Sequence, residues 1–227
     1  MNREAFQRTW QQRFDRALPE KIVCVGLNYR DHATELGGEL PQEPLLFGKF
    51  PNTLVDPGQP IVLPPVGHVD AEAELVIVIG RRIRGIAAAD ALDVVAGYLC
   101  GNDVSARDLQ FKDGQWMRAK GFDTFCPIST EIAPVDELGD AFGLRIVQRL
   151  NGQLIQDSNT DEMIFGVAEI VAHASSVFTL EPGDLILTGT PSGVGVFRSP
   201  KVSLAPGDVV EVEVERVGTV SSPVVAA

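Results

Sequence analysis

The sequence predicts a mixed α+β fold that is mostly β and forms one main domain. Short apolar runs follow one another from residue 45 onward, and few stretches have a helical pattern. No Ser/Gly/Pro-rich linker divides the 227 residues, a length that can bury a core without disulfides. We expect a helical N-terminal extension over 1–19, one domain over 20–227, and short peripheral helices.

The helical patterns lie towards the two ends of the chain. Aromatic and aliphatic residues recur about once per helical turn from Phe6 to Leu18, which predicts an amphipathic helix over 3–17. A second helix is predicted over 161–177, with Thr160 as its N-cap and acidic residues in its first turn. Between them, NYRDHATELGG predicts a short helix or turn that is closed by a Gly-Gly pair.

The strand candidates are apolar runs that are bounded by glycine and proline. They are KIVCVG (21–26), LLFGKF (45–50), PIVLP (60–64), AELVIVIG (73–80), VVAGYLCGNDV (94–104), and the Pro-Gly-led runs 180–189 and 204–215. The segment GGELPQEPLLF is rich in Gly, Pro and Glu, and it is typical of a surface loop that can act as a lid beside a site.

The composition excludes several kinds of partner. A net charge of −12 argues against nucleic acid and against an anionic membrane surface. No run approaches the roughly 20 apolar residues of a membrane helix, and the charged N-terminus has no signal-peptide core. The three cysteines are far apart and form no CxxC pair, so neither disulfides nor zinc is indicated. We expect a soluble cytoplasmic protein.

Three carboxylates are the strongest candidates for chemistry. Glu72 and Glu74 alternate where a buried strand begins, so they point to one face, and Asp103 ends another apolar run. Two like charges entering the interior require compensation, which a bound cation supplies. An all-oxygen ligand set favours Mg²⁺ first, then Mn²⁺ or Ca²⁺. The alternative is a solvated strand face in which Asp103 only caps the next helix.

Other polar residues predict catalytic or substrate-binding roles. His32 and Glu35 are neighbours on one helical turn, so the carboxylate can orient the imidazole as a general base for water. Arg107 and Gln110 share a helical face after Asp103 and can bind substrate oxygens. The glycine-rich TGTPSGVGV lacks a P-loop pattern, and its Thr190 hydroxyl suits a carboxylate better than a nucleotide.

These segments together resemble the fumarylacetoacetate hydrolase family over roughly residues 20–220. The strings that carry the resemblance are VGLNYRDHATELG, HVDAEAELVIVIG, GNDVSARDLQ, RAKGFDTFCP, EPGDLILTGTPSGVG and APGDVVEVEVE, in the order of the family. The resemblance implies a β-roll catalytic domain, a Mg²⁺ or Mn²⁺ ion and a homodimer. Where the founding hydrolase has a fourth metal carboxylate, this chain has Val25.

The resemblance also implies roles for single residues. Glu72, Glu74 and Asp103 match the metal ligands, and His32 with Glu35 matches the water-activating pair of acylpyruvase-like members. The remaining matches are to substrate-binding positions, with Lys120 taken as catalytic: Arg107, Gln110, Lys120, Thr190 and Lys49.

The expected substrate is a small anionic 2-oxo or 2-enol carboxylate. The His32–Glu35 pair favours hydrolysis or decarboxylation of acylpyruvate-like or oxaloacetate-like substrates through a metal-stabilised enolate. One alternative is an isomerase/decarboxylase acting on 2-hydroxyhepta-2,4-diene-1,7-dioate in 4-hydroxyphenylacetate breakdown. Another, from a different class, is a binding protein that keeps the fold and the metal but catalyses nothing.

Overall fold

The computed structural model describes residues 3–37 and 39–227. Six α-helices lie in that part of the chain: α1 (Glu4–Phe14), α2 (Arg30–Leu36), α3 (Arg107–Asp113), α4 (Met117–Lys120), α5 (Val135–Leu138) and α6 (Val167–Val177). Its strands are β1 (Ile22–Gly26), β2 (Leu45–Lys49), β3 (Leu54–Val55), β4 (Ile61–Leu63), β5 (Val69–Asp70), β6 (Ala73–Ile79), β7 (Val95–Asn102), β8 (Ser105–Ala106), β9 (Cys126–Pro127), β10 (Ala133–Pro134), β11 (Arg145–Leu150), β12 (Gln153–Asn159), β13 (Leu185–Leu187), β14 (Val209–Val214) and β15 (Gly218–Ala226).

Two sheets make up most of the structure. A six-stranded sheet has the order β10-β7-β6-β13-β1-β2, and a five-stranded sheet has the order β12-β11-β14-β15-β4. Both sheets mix parallel and antiparallel pairs: β1 runs parallel to β13, whereas β6 and β7 are antiparallel. The short pairs β3-β9 and β5-β8 complete the strand content. The predicted mixed α+β fold, mostly β with short peripheral helices, is confirmed.

The six-stranded sheet is covered on both faces. Leu75 and Ile77 of β6 belong to a core cluster shared with Val212 of the five-stranded sheet. The alternate residues of β6, such as Val76, face a second cluster that contains Trp10 of α1. All seven residues of β6 are therefore buried, which is why residues 75–79, after Glu74, form an unbroken apolar run rather than an alternating one.

The N-terminal helix α1 is held to the rest of the chain at two points. The Asp56 carboxylate accepts hydrogen bonds of 2.8 and 2.9 Å from the backbone N–H groups of Ala5 and Phe6. The indole N–H of Trp10 donates to the carbonyl of Gly183 at 2.8 Å. The helix is shorter than predicted, because Asp15 after it has a left-handed conformation. The division into 1–19 and 20–227 stays a prediction.

The second predicted helix was placed six residues too early. It begins at Val167 rather than at residue 161, and Thr160 is not its N-cap. The hydroxyl of Thr160 instead accepts from the N–H of Leu144 at 2.9 Å. The backbone N–H of Ile164 donates to the carbonyl of Asn28 at 2.8 Å. Residues 160–162 form a short 3-10 helix instead, and the tertiary contact at Ile164 separates it from α6. Local sequence preferences do not reveal this contact.

Two expectations about exposed segments fall partly outside the structure. Residues 39–44 of the predicted loop contain neither helix nor strand, and Gly37 ends α2 in the left-handed conformation. Gly38, the second residue of the predicted Gly-Gly pair, lies outside the described residues.

Over 3–37 and 39–227, no helix combines the length and the apolar character needed to cross a bilayer.

Candidate active site

The three predicted metal carboxylates meet at the open end of the β6–β7 hairpin. Pairing of Glu74 with Gly101 places Asp103, just beyond β7, beside Glu72, and the Asp103 N–H donates to the Glu72 carbonyl at 2.9 Å. All three side chains are buried. One carboxylate oxygen from each residue lies within 4.8 Å of the others. The hairpin register therefore brings together the acids that the sequence paired only by pattern.

Two buried lysines compensate part of this negative charge. The Lys120 ammonium group lies 2.6 Å from Glu72 Oε2 and 2.7 Å from Asp103 Oδ2. The Lys49 ammonium group lies 2.6 Å from Asp103 Oδ1. Burial opposes the charge of Lys120, but Asp103 and Glu72 outweigh it and raise the lysine pKa above its usual value. Glu72 and Asp103 therefore favour the charged, hydrogen-bond-donating form of Lys120, and its predicted catalytic role stays a prediction.

Arg107 extends this charge network away from the carboxylate cluster. Its guanidinium group binds Glu72, Asp70 at 3.3 Å and the side-chain oxygen of Gln110 at 2.7 Å. Burial opposes the charge of Glu72, yet Arg107 and Lys120 outweigh it and lower the glutamate pKa to about 2. Each guanidinium nitrogen makes one of these bonds, so Arg107 is an internal counterion for Glu72 and Asp70, and its predicted substrate-binding role stays a prediction.

Glu74 differs from Glu72 and Asp103 in its partners. It accepts one hydrogen bond of 2.7 Å, from the backbone N–H of Gly189. Among residues 3–37 and 39–227, no lysine, arginine or histidine forms an ion pair with it. Burial, followed by the charges of Asp103 and Glu72, raises the pKa of Glu74 well above its ordinary value. A bound cation would offset this rise and favour the ionised form of Glu74.

The donor set fits a hard divalent cation. Three carboxylate oxygens converge in a buried site, oxygen ligands suit Mg²⁺, Mn²⁺ or Ca²⁺, and Glu74 supplies the uncompensated charge. Glu72, Glu74 and Asp103 are the residues that would hold it. None of the three free cysteines, which are all buried, belongs to this cluster of possible ligands in the described part of the chain.

The predicted His32–Glu35 pair forms a hydrogen bond. His32 Nδ1 lies 2.8 Å from Glu35 Oε2 on helix α2, and the backbone N–H of Gly193 donates to Glu35 at 3.1 Å. Asp31 fixes the start of the same helix, since it accepts from the His32 N–H and from the hydroxyls of Ser158 and Ser192. If Nδ1 carries the proton, Nε2 is the nitrogen that can accept one.

One cavity of about 140 Å³ connects the carboxylates to the imidazole. The predicted site residues that line it are His32, Glu72, Glu74, Arg107, Gln110, Lys120 and Thr190. Lys49 and Asp103 lie behind its wall and Glu35 behind His32, so none of these three belongs to the lining. The roles of all these residues towards a substrate stay predictions.

The lining of the cavity is also partly aromatic, which was not predicted from the sequence. Its aromatic residues are Phe47, Phe111, Trp116 and Phe197. Phe47 and Trp116 meet edge to face at 5.0 Å, and the ring of Phe197 lies 5.8 Å from that of His32. Trp116 can close over the cavity because Gly26 has no side chain; a Cβ there would lie 2.6 Å from the indole.

Two further polar residues near the site were not predicted from the sequence. Asp70 continues the alternation of Glu72 and Glu74 by one step, so the sequence did contain a signal for it. Its carboxylate accepts hydrogen bonds from Arg107 and, at 2.8 Å, from the backbone N–H of Val196. Gln156 comes from the five-stranded sheet and donates to the Thr190 hydroxyl at 2.9 Å. Nothing in the local sequence marks Gln156, because its contact depends on sheet packing.

Comparison with known proteins relates this chain to a single family. The family described as fumarylacetoacetate (FAA) hydrolase C-terminal matches residues 21–225. The mitochondrial oxaloacetate tautomerase fahd2 of Xenopus laevis is 48% identical over 210 residues, 91% of this chain and 66% of that protein. This chain thus spans about two thirds of that relative. The relative's name places it in mitochondria, and the cytoplasmic location expected here stays a prediction.

Solved structures agree with this assignment. A 2-hydroxyhepta-2,4-diene-1,7-dioate isomerase from Mycobacterium marinum is 45% identical with a TM-score of 0.81, covering 92% of this chain and 75% of the other. A fumarylacetoacetate hydrolase from the psychrophile Exiguobacterium antarcticum is 39% identical with a TM-score of 0.84, covering 92% and 76%. Tautomerase, isomerase and hydrolase names therefore all occur among proteins that share this fold.

Proposed function

Because the chain belongs to the fumarylacetoacetate hydrolase family, we propose that it is a divalent-metal-dependent enzyme that moves a proton on 2-oxo dicarboxylates. The favoured reaction is keto–enol interconversion of an oxaloacetate-like substrate. The observation that supports it most is a single cavity lined by both the imidazole of His32 and the carboxylates of Glu72 and Glu74. Proton transfer is placed ahead of the hydrolysis or decarboxylation favoured by the sequence, because relatives at 48% and 45% identity are named a tautomerase and an isomerase.

The charge balance of the site suits an anionic substrate. Four buried carboxylates face three buried cations: Asp70, Glu72, Glu74 and Asp103 against Lys49, Arg107 and Lys120. A divalent ion at this cluster leaves one net positive charge when Glu74 is ionised. The local field is then attractive to a carboxylate, although the whole chain carries −12.

The proton moves between the substrate and His32. Nε2 of His32 takes a proton from C3, the C3–H electron pair becomes the C2–C3 double bond, and the C2=O π pair moves onto the oxygen. The protonated Nε2 then gives its proton to that oxygen, which yields the enol and restores the neutral imidazole. Glu35 holds the imidazole and stabilises its protonated form. A divalent ion, when bound, supplies Lewis-acid stabilisation of the developing negative charge. Thr190 and Gln110 are placed to bind the substrate's carboxylate oxygens.

A coupled assay tests this proposal. Malate dehydrogenase consumes only keto-oxaloacetate, so NADH loss after enol-oxaloacetate is added reports tautomerisation. We expect Mg²⁺ to be required, EDTA to abolish the rate, and Glu74→Gln to lose it. An oxaloacetate rate equal to that without enzyme, at saturating Mg²⁺, would exclude the tautomerase proposal.

Hydrolysis is the second candidate, and the His32–Glu35 hydrogen bond favours it. A histidine oriented by a carboxylate can activate water as well as take up a carbon-bound proton. Acetylpyruvate distinguishes the two reactions, because hydrolysis releases acetate and pyruvate in equal amounts. Decarboxylation of oxaloacetate releases pyruvate with CO₂, and 2-hydroxyhepta-2,4-diene-1,7-dioate tests the isomerase alternative. We expect the tautomerase rate to exceed the other three.

A non-catalytic binding protein is less well supported. A His32 side chain facing away from the carboxylates would support that alternative, whereas its imidazole lines the same cavity as Glu72 and Glu74. Binding of Mg²⁺ and oxo-acids without conversion of any of the substrates above would support the binding-protein alternative.

We also propose that two copies form a homodimer. The support is an exposed apolar surface beside the edge strand β2, made by Leu45, Phe50 and Met117, each about half exposed. Such surfaces and unpaired sheet edges are typical of interaction sites. Light scattering after size exclusion should give twice the mass of one chain, and Phe50→Glu should reduce it.

A further inference from the structure

The amide of Gln156 has one fixed orientation. Its Oε1 accepts from the backbone N–H of Ala73 at 2.9 Å, and its Nε2 donates to the carbonyl of Pro191 at 2.8 Å. A flipped amide would set two donors against each other at Ala73 and two acceptors against each other at Pro191. The side chain is fully buried, so water cannot relieve such a mismatch.

This orientation determines what the Thr190 hydroxyl can do. Nε2 of Gln156 also donates to Thr190 Oγ1, at 2.9 Å, so the hydroxyl oxygen is an acceptor in that bond. The hydroxyl proton must point elsewhere, and no acceptor for it is found within 3–37 and 39–227. Thr190 lines the cavity that contains Glu72 and Glu74. The open direction for the proton is therefore the cavity.

We propose that Gln156 is a positioning residue that holds the Thr190 hydroxyl as a hydrogen-bond donor towards the carboxylate of the bound 2-oxo acid. This inference rests on the proposed function for its substrate class. Ala73, which anchors the amide, lies between Glu72 and Glu74 in the chain. Gln156 therefore couples the loop that holds Thr190 to the strand that holds the carboxylates, and it sets the distance between the two halves of the site.

A double-mutant cycle with Thr190 tests the inference. Removal of the hydroxyl in Thr190→Val should raise KM about 10- to 100-fold, the effect of one lost hydrogen bond to a charged group, with little change in kcat. Gln156→Met should raise KM less, because the hydroxyl can still donate but is no longer held. Gln156→Glu should match Thr190→Val, because a carboxylate there accepts the hydroxyl proton itself.

The combined variants give the deciding result. In a Thr190→Val background, Gln156→Met and Gln156→Glu should add less than a twofold change in KM. In a Thr190→Ser background, which keeps the hydroxyl, the effects of both substitutions should return. Full multiplicative effects in the Thr190→Val background would show that Gln156 acts on the fold rather than through Thr190, and would overturn the inference.

Gln148→Met is the matched control. Gln148 is the direct cross-strand partner of Gln156 and is also buried, but its side-chain oxygen has no partner within the described residues. The same chemical change there should leave KM within twofold of wild type. Thermal melting of each variant identifies loss of folding, and Gln156→Met keeps the cycle measurable if the buried charge of Gln156→Glu prevents folding.

A binding measurement separates this inference from the proposed function. Oxalate with Mg²⁺ serves as the probe, because its adjacent carboxylates resemble the enolate of a 2-oxo acid. Its Kd, from calorimetry, should show the same non-additive pattern. Absence of turnover together with that pattern would overturn the proposed reaction and retain the role of Gln156. Additive Kd effects together with normal turnover would overturn the role of Gln156 and retain the proposed reaction.

Discussion

The Glu74 carboxylate receives a 2.7 Å hydrogen bond from the Gly189 amide and has no ion pair within the described part of the chain. Glu72, two residues earlier, binds both a lysine and an arginine. Burial acts to raise the pKa of both acids, but the two cations outweigh it at Glu72, whose pKa falls to about 2, whereas the pKa of Glu74 rises. This asymmetry makes Glu74 the residue through which metal and pH should affect stability.

The metal-free protein should lose stability as the pH rises above the ordinary glutamate pKa of 4.5. A raised pKa in the folded state means that the contribution of Glu74 is full below the unfolded pKa and is lost towards the folded one. Chemical denaturation of wild type and Glu74→Gln over this range should show the difference in the free energy of unfolding shrinking at low pH. A constant difference would contradict the assigned pKa shift.

Mg²⁺ should reverse that loss in wild type. At about 100 times its Kd, a ligand that binds only the folded state adds about 2.7 kcal/mol to the free energy of unfolding. Glu74→Gln, which lacks the uncompensated charge, should gain much less. Melting curves with and without Mg²⁺ provide the measurement, with added Na⁺ at equal ionic strength as the control.

Substitution of His32 should affect proton transfer rather than binding. His32→Asn should lower kcat by about 10²- to 10⁴-fold, the usual contribution of a general base, with KM close to wild type. Glu35→Gln should give a smaller loss, because an amide oxygen can still accept from Nδ1. His173→Asn, on α6 and outside the lining of the cavity, is the control and should keep full activity. Equal kcat values for wild type and His32→Asn would remove the proposed base.

Loss of Lys120 should destabilise the fold as well as the site. Lys120→Met leaves Glu72 and Asp103 facing each other in the interior without their shared cation. Removing one partner of a buried ion pair costs about 3–5 kcal/mol, which urea denaturation can measure. Lys112→Met, an exposed change on the neighbouring helix α3, should stay within about 0.5 kcal/mol of wild type. A Lys120→Met protein as stable as wild type would indicate that the acids repack or become protonated without cost.

A methyl group at Gly26 should change the shape of the cavity. Its Cβ would lie 2.6 Å from the Trp116 ring, so Gly26→Ala must displace the indole. We expect kcat/KM to fall about tenfold or more, with the largest loss for the longest substrate, the heptadiene-dioate. Gly48 is exposed in the adjacent strand, and a Cβ there would meet only the Ile22 carbonyl oxygen at 3.5 Å, an ordinary contact. Gly48→Ala should therefore leave kcat/KM unchanged. Equal kinetics for both variants would show that Trp116 does not limit the cavity.

Much of the carboxylate cluster could be predicted from the sequence, because its members lie at the two chain ends of one hairpin, where paired strands begin and end. Alternation placed Glu72 and Glu74 on one face, and the end of the next apolar run supplied Asp103. The same rule, applied one step further back, would have found Asp70. The pairing of His32 with Glu35 could be predicted for a similar reason, since residues three apart are neighbours on the surface of a helix.

The parts that could not be predicted depend on contacts between distant segments. Gln156 reaches Thr190 because the edge of the five-stranded sheet packs near the glycine-rich loop, and no local pattern encodes that. The late start of α6 at Val167 has the same origin, since residues before it pair with Asn28. Aromatic residues such as Phe111 and Phe197 are far apart in the chain and look ordinary until the fold brings them to one wall.

The three internal cations have a consequence for the life of the protein in a cell. Lys49, Arg107 and Lys120 offset most of the charge of the acidic cluster, so we expect the chain to fold without a bound divalent ion. In small zinc domains metal binding and folding are one event, whereas this protein would stay folded while the proposed metal site is empty. Its activity would then follow the free magnesium or manganese concentration of its compartment, without new synthesis.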